Sequence, residues 1–161
     1  MAPDRPAARP VVKRTARAIL LDGDALIVIK RTKPGEEPYW ITPGGGVEPV
    51  DESVTAALHR EVDEELGAKV VDVVPAFVDT VPEGTGGGVK VQHFFACRLA
   101  SMDLGRRHGP EVEEPCGRYE VVRLPFTREG VTSVNLVPPT LRAYLERNVE
   151  GLRALLLPDL G

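Results

Sequence analysis

Three consecutive glycines, Gly44-Gly45-Gly46, are followed by Val54, Leu58, Val62 and Leu66, apolar residues spaced by four. That spacing lines four side chains along one side of an α-helix, and Gly67 stands where a helix C-terminus favours a left-handed residue. Asp51 and Ser53 are both candidate N-caps for it. Upstream the texture is different. Thr15–Leu21 and Ala25–Arg31 are largely β-branched and aliphatic, and Asp22-Gly23-Asp24 between them is a turn signal, so they read as a hairpin. A chain that changes from strand to helix across a glycine run must place a helix against a sheet. This excludes all-helical and all-β folds.

The remaining segments extend the pattern. Tyr39-Trp40-Ile41-Thr42 is short and extended, and Val70–Val78 and Val89–Arg98 read as longer strands joined by the Gly-rich stretch Pro82–Gly88. Met102–Gly117 is a polar segment, acidic in its second half, and Arg118–Leu124 returns as a strand. Pro139–Asn148 reads as an amphipathic helix with Leu141, Tyr144 and Leu145 on one face. This order predicts an α/β fold, a mixed β-sheet covered by helices. The 161 residues suit a single domain. The expected boundaries are a disordered Pro/Ala-rich tail over residues 1–12 and a domain over 13–161.

Composition closes off several functions. A net charge of −4 argues against binding nucleic acid by phosphate neutralisation, and 5% aromatic residues leave little for base-stacking platforms. The longest aliphatic stretch, Ala25–Ile29, is far short of the ~20 residues of a membrane span. Prolines at positions 3, 6 and 10 interrupt any secretory core. Cys97 and Cys116 form no metal-like cluster and read as inert, reduced thiols, so a cytoplasmic location is expected.

The helix carries the chemistry. With Glu61 at 0° and 100° per residue, Glu64 falls at about −60° and Glu65 at about +40°, so three carboxylates share an arc of about 100°. That arc overlaps the edge of the apolar stripe, a costly place for like charges. Arg60 can compensate one flank, and a divalent cation is the fuller answer, since carboxylate oxygens suit hard ions such as Mg²⁺. The glycine run lets backbone approach a ligand closely, and a carbonyl there could complete a metal shell.

The spacing Gly46-x5-Glu52-x7-Arg60-Glu61-Val62-x-Glu64-Glu65-x-Gly67 resembles the signature box of the Nudix hydrolase family, with Ala68 smaller than the usual last aliphatic residue. Trp40-Ile41-Thr42-Pro43-Gly44-Gly45 also resembles the family's approach to that box. The resemblance implies a Nudix-type α/β/α sandwich and a Mg²⁺- or Mn²⁺-dependent hydrolase of nucleoside diphosphates linked to a group X. It implies that Glu61, Glu64, Glu65 and the Gly46 carbonyl hold metal, that Arg60 orients a glutamate, and that Glu52 supports the same network. The expected partner is a small nucleotide diphosphate derivative, and a homodimer is compatible with it. The same fold also serves as a nucleotide-sensing module without hydrolysis, but such modules commonly lose box glutamates and none is lost here.

Outside the box, Lys30 and Arg31 at a strand end are candidates to meet phosphates, with Gly45 and Gly46 beside them. Glu111, Glu113 and Glu114 lie in the long polar segment, where the family often draws a general base, and Glu113 or Glu114 is the preferred candidate. A glutamate bound to metal has its pKa lowered and makes a poor base, which favours a carboxylate from elsewhere. Trp40 reads as an anchor more than a base-stacking residue, and His59 and His93 read as structural.

Overall fold

The computed structural model describes residues 9–107 and 118–156. Among them, seven strands form one mixed sheet. Strand β1 (Val11–Asp22) and β2 (Ala25–Thr32) form the expected hairpin, but they stay paired only from Leu20↔Ile27 to Asp22↔Ala25. Beyond that point they part, and β3 (Tyr39–Ile41) and β4 (Gly44–Gly46) fill the gap. β3 pairs with β2 and β4 with β1, both antiparallel. The glycine run is therefore a strand and not a loop. Glycine has no strand preference of its own, so this pairing comes from β1.

On its other edge β1 runs parallel to β6 (Gly88–Met102), which pairs antiparallel with β5 (Ala68–Glu83). β7 (Arg118–Pro125) closes the far edge along the whole of β2. β1 starts at Val11, two residues inside the stretch assigned to the tail, because Val11 pairs with Val89.

Helix α1 (Val54–Leu66) lies where the spacing of four placed it. Of the two candidate caps, Ser53 takes the position, its hydroxyl accepting from Ala56 N at 3.0 Å, and Gly67 ends the helix at φ 59°. A Cβ at Gly67 would stand 2.0 Å from the Asp103 carbonyl oxygen, so only glycine fits. Two elements exceed the sequence reading. A five-residue helix, α2 (Arg128–Thr132), is too short to show a period. α3 (Pro139–Leu156) runs past Asn148 through Gly151, at which an added Cβ would meet nothing within 4 Å.

Strand alternation sorts the core into two layers. Ala16, Ala18, Leu20, Ile27, Ile29, Phe95 and Cys97 pack under Leu58, Val62 and Leu66 of α1. Ile19, Leu21, Leu26, Val28, Phe94 and Ala96 pack under Leu141, Leu145, Val149 and Leu152 of α3. The result is an α/β/α sandwich with β4 against the acidic side of α1. No helix among the described residues is long and apolar enough to cross a membrane.

Candidate functional site

The site grows from two buried charges. Glu61 and Glu65 are one turn apart on α1 and only 3% and 4% exposed, which the overlap of acidic arc and apolar stripe required. Both face β4. A Cβ on Gly45 would lie 2.5 Å from the Glu61 carboxyl group. Gly44 donates its N–H to Glu65 Oε1 at 3.2 Å, sits at φ 147°, and has no room for a Cβ against the Ala16 carbonyl. Two of the three glycines thus exist to let strand and acidic helix touch. At Gly46 an added Cβ would meet only Lys13 Cε, at 4.0 Å.

Arg60 gathers the cluster. Its Nη1 donates to Glu61 Oε1 at 3.0 Å and to Glu64 Oε1 at 3.2 Å. Its Nη2 donates to the Gly46 carbonyl at 2.9 Å. Nε and Nη2 also grip both oxygens of Asp51, each at 2.9 Å, in the bidentate geometry that suits guanidinium and carboxylate. That bond, reinforced by the Glu48 N–H, holds the Asp51 carboxyl down at about 2. In return Asp51 first, then the charge of Glu61 and the bond to Glu64, hold the guanidinium proton tighter than usual against the opposing effect of burial.

Asp51 is the residue the sequence reading missed: as one of two capping candidates it carried no signal of an ion pair. Glu52, the box residue expected to support this network, is exposed on the surface. Two further arginines went unforeseen. Arg17 donates from Nη1 to the carbonyls of Gly44 at 3.2 Å and Thr42 at 3.4 Å. Its one visible signal was a charge among the inward-facing residues of a strand. Arg107 donates Nε to the Glu65 carbonyl at 2.8 Å, and Asp103 N–H bonds the Gly67 carbonyl at 3.0 Å, so the chain entering the long acidic segment is fastened to the end of α1. Glu111, Glu113, Glu114 and Cys116 lie outside the described residues.

The structure separates Lys30 from Arg31. Arg31 stacks over Tyr119 at 4.0 Å, on the α1 face, whereas Lys30 lies over Trp40 at 5.5 Å, on the α3 face. Trp40 is a half-buried anchor, bonded through its backbone to Asn135 and Val137. His93 accepts from Arg14 at 2.9 Å, and burial, then that neighbouring charge, lower its pKa. His59 is exposed, and burial pushes the Cys97 thiol up to about 12, an inert state.

The groups that Arg60 bonds are all oxygens, those of Asp51, Glu61, Glu64 and the Gly46 carbonyl, and with neighbouring Glu65 they offer a donor chemistry that suits Mg²⁺ or Mn²⁺. Among the described residues no three acidic, histidine or cysteine side chains are already grouped as a metal shell, and the Arg60 guanidinium stands between Glu61 and Glu64. The donor chemistry fits a divalent cation. The carboxylates would have to exchange part of their bonding to Arg60 for it.

The description "NUDIX domain" matches residues 12–129. The chain belongs to the Nudix hydrolase family. Solved structures of similar fold include a NUDIX hydrolase from Nitrosomonas europaea, 20% identical with a TM-score of 0.66, covering 95% of this chain and 100% of that one. An ADP compounds hydrolase is 19% identical, with a TM-score of 0.65 and coverage of 91% and 76%. A MutT NUDIX hydrolase from Burkholderia pseudomallei is 22% identical, with a TM-score of 0.57 and coverage of 83% and 95%. No curated protein matches the chain. For this Nudix chain, those likenesses establish the sandwich fold.

Proposed function

We propose that the chain is a Mg²⁺- or Mn²⁺-dependent hydrolase that cleaves the diphosphate bond of nucleoside diphosphate-X compounds. The products are a nucleoside monophosphate with pyrophosphate, or with phosphorylated X. The observation that carries this reading is Arg60, which ties Asp51, the Gly46 carbonyl, Glu61 and Glu64 into one cluster beside buried Glu65. Burying like charges this close is costly, and an exposed acidic helix face would have no need of it.

Glu61, Glu64, Glu65 and the Gly46 carbonyl would hold the metal, which when bound polarises the diphosphate, neutralises the leaving phosphate and acidifies a water. The chain's own groups set up the rest. Asp51 fixes the plane of Arg60, and Arg60 aims Glu61 and Glu64 at one point. Gly44 N–H orients Glu65. Arg31, on the carboxylate face, would meet phosphate, while Gly46, the least packed of the three glycines, would give substrate close access and Gly45 stays packed against Glu61. Glu113 or Glu114 takes the proton from the attacking water, and its change to Gln lowers kcat by roughly 10²–10⁴. The substrates we favour are nucleoside triphosphates and ADP-ribose-like compounds, handled in the cytoplasm. The ADP compounds hydrolase among the similar folds supports the second class.

The test is a panel of nucleoside triphosphates, ADP-sugars and dinucleoside polyphosphates assayed with Mg²⁺ and with Mn²⁺. Release of two phosphorylated fragments, or of pyrophosphate, is expected from at least one class and is abolished by EDTA. Cleavage of none would overturn the reading.

A further inference from the structure

Strand β4 is glycine throughout, so its backbone is intrinsically the freest in the site, yet the Gly44 N–H has to point at Glu65. Something must hold it there. The structure holds three consecutive peptide groups at this place, all from β1. Arg17 Nη1 donates to the Thr42 carbonyl at 3.4 Å and to the Gly44 carbonyl at 3.2 Å. Between them, the Pro43 carbonyl accepts the Ala18 N–H at 2.8 Å. The middle peptide is the one that carries the Gly44 N–H, and with its neighbours pinned its plane has little room to turn.

The clamp comes from behind the sheet. A Cβ on Gly45 would point at Glu61, on the α1 side. Arg17, two residues before Ile19, falls on the α3 side, where it lines a cavity of about 220 Å³. Its hydrogen bonds among the described residues go to backbone carbonyls alone, so any effect on a carboxylate passes through β4. Gln92 lines the same cavity but bonds Asp79 on β5 and takes no part in the clamp.

We propose that Arg17 is a positioning residue for the hydrolysis: by pinning the peptides on either side of Gly44 it aims the Gly44 N–H at Glu65 Oε1 and so sets that carboxylate against β4. The inference rests on the diphosphate-hydrolase reading above and adds to it a control of Glu65 from the opposite face of the sheet. Glu65 is only 4% exposed, where a carboxylate turned from its donor has no ready replacement in water. Removing a group that orients a metal-holding side chain commonly costs roughly 10–100-fold in metal affinity or activity.

Amide hydrogen exchange followed by NMR in EDTA reads the clamp without metal or substrate. In Arg17→Met, which keeps the stem and loses the donors, the Gly44 N–H should exchange about tenfold faster or more than in wild type, while the amides of β2 hold their rates. Gln92→Leu alters the same cavity and should leave the Gly44 rate unchanged. Mn²⁺ affinity by calorimetry, or kcat, should fall roughly 10–100-fold in Arg17→Met with KM little changed. Arg17→Lys, whose amine falls one bond short of Nη1, should lie between the two in both readouts, and it stands in where Arg17→Met does not fold. An unchanged Gly44 rate in the folded variants overturns the inference. Equal quickening of exchange across the whole sheet marks a merely structural role and overturns it too, as does a raised KM with kcat and the Gly44 rate unchanged, which would make Arg17 a substrate contact. A loosened Gly44 and weakened Mn²⁺ binding in a protein that cleaves nothing sustain the inference and sink the hydrolase reading.

Discussion

The two faces of the sheet are built from alternate residues of the same strands, yet they carry opposite kinds of burial. Beneath α1, the apolar layer of Leu58 and Val62 gives way at its edge to Glu61 and Glu65, held by Arg60 and by the backbone of β4. Beneath α3, Leu141 and Leu145 cover Phe94 and Ile19, and the polar atoms retreat to Arg17 and Gln92, which line one cavity, and to Asp79, which accepts from Gln92. Charge can be buried on the α1 face because a guanidinium and a glycine strand meet it. Placing the ionic cluster on one face and the cavity on the other, with only three glycines between, lets the two be altered separately.

Removing Arg60 should break the α1 face most severely. Arg60→Ala leaves Asp51, Glu61 and Glu64 without their shared cation, an expected loss of about 3–5 kcal/mol in denaturant unfolding. Mg²⁺ should restore part of that loss by binding the freed carboxylates in the native state, seen as a rise in melting temperature over EDTA. Unchanged melting in saturating metal would argue against the cluster as a metal site.

The glycine strand offers a smaller and sharper test. Gly44→Ala should cost about 3 kcal/mol, from a positive φ and from overlap with the Ala16 carbonyl. Gly46→Ala should stay within about 1 kcal/mol, since an alanine there meets no closer neighbour than Lys13 Cε at 4.0 Å. Equal losses in the two variants would show that β4 is not wedged as described.

Asp51 and Glu52 give the finest comparison. Asp51→Asn should lose about 1–3 kcal/mol, whereas Glu52→Gln, on the surface, should stay within about 0.5 kcal/mol. The Asp51 carboxyl is depressed in the folded state from 3.8 to about 2, so its contribution is complete above pH 4 and fades as pH falls towards 2. Unfolding measured over that window should show a shallower acid loss in Asp51→Asn than in wild type.

These contrasts also mark what the sequence made legible. Helix α1, its Gly67 stop and the overlap of Glu61 and Glu65 with the apolar stripe follow from a spacing of residues along one element, and the structure has them in place. The Arg60 hub was legible only in part. A bond to a glutamate one turn away is local, but the bonds to Gly46 and Asp51 depend on where β4 and the following turn come to rest. Arg17, Asp79 and Gln92 converge only because β1, β5 and β6 lie in one sheet, and register is a tertiary property. β4 itself was hidden for a related reason, since glycines pair there only because β1 and β2 diverge.

The central claim is that the carboxylates gathered by Arg60 on the α1 face carry out the hydrolysis. The most direct measurement is the turnover of Glu64→Gln on the best substrate of the panel at saturating Mg²⁺. Glu64 is the least buried of the three glutamates, with its side chain 19% exposed, so the variant should fold with little change in melting temperature. The account predicts a fall in kcat of roughly 100-fold or more. Near-wild-type kcat in a folded Glu64→Gln would contradict it.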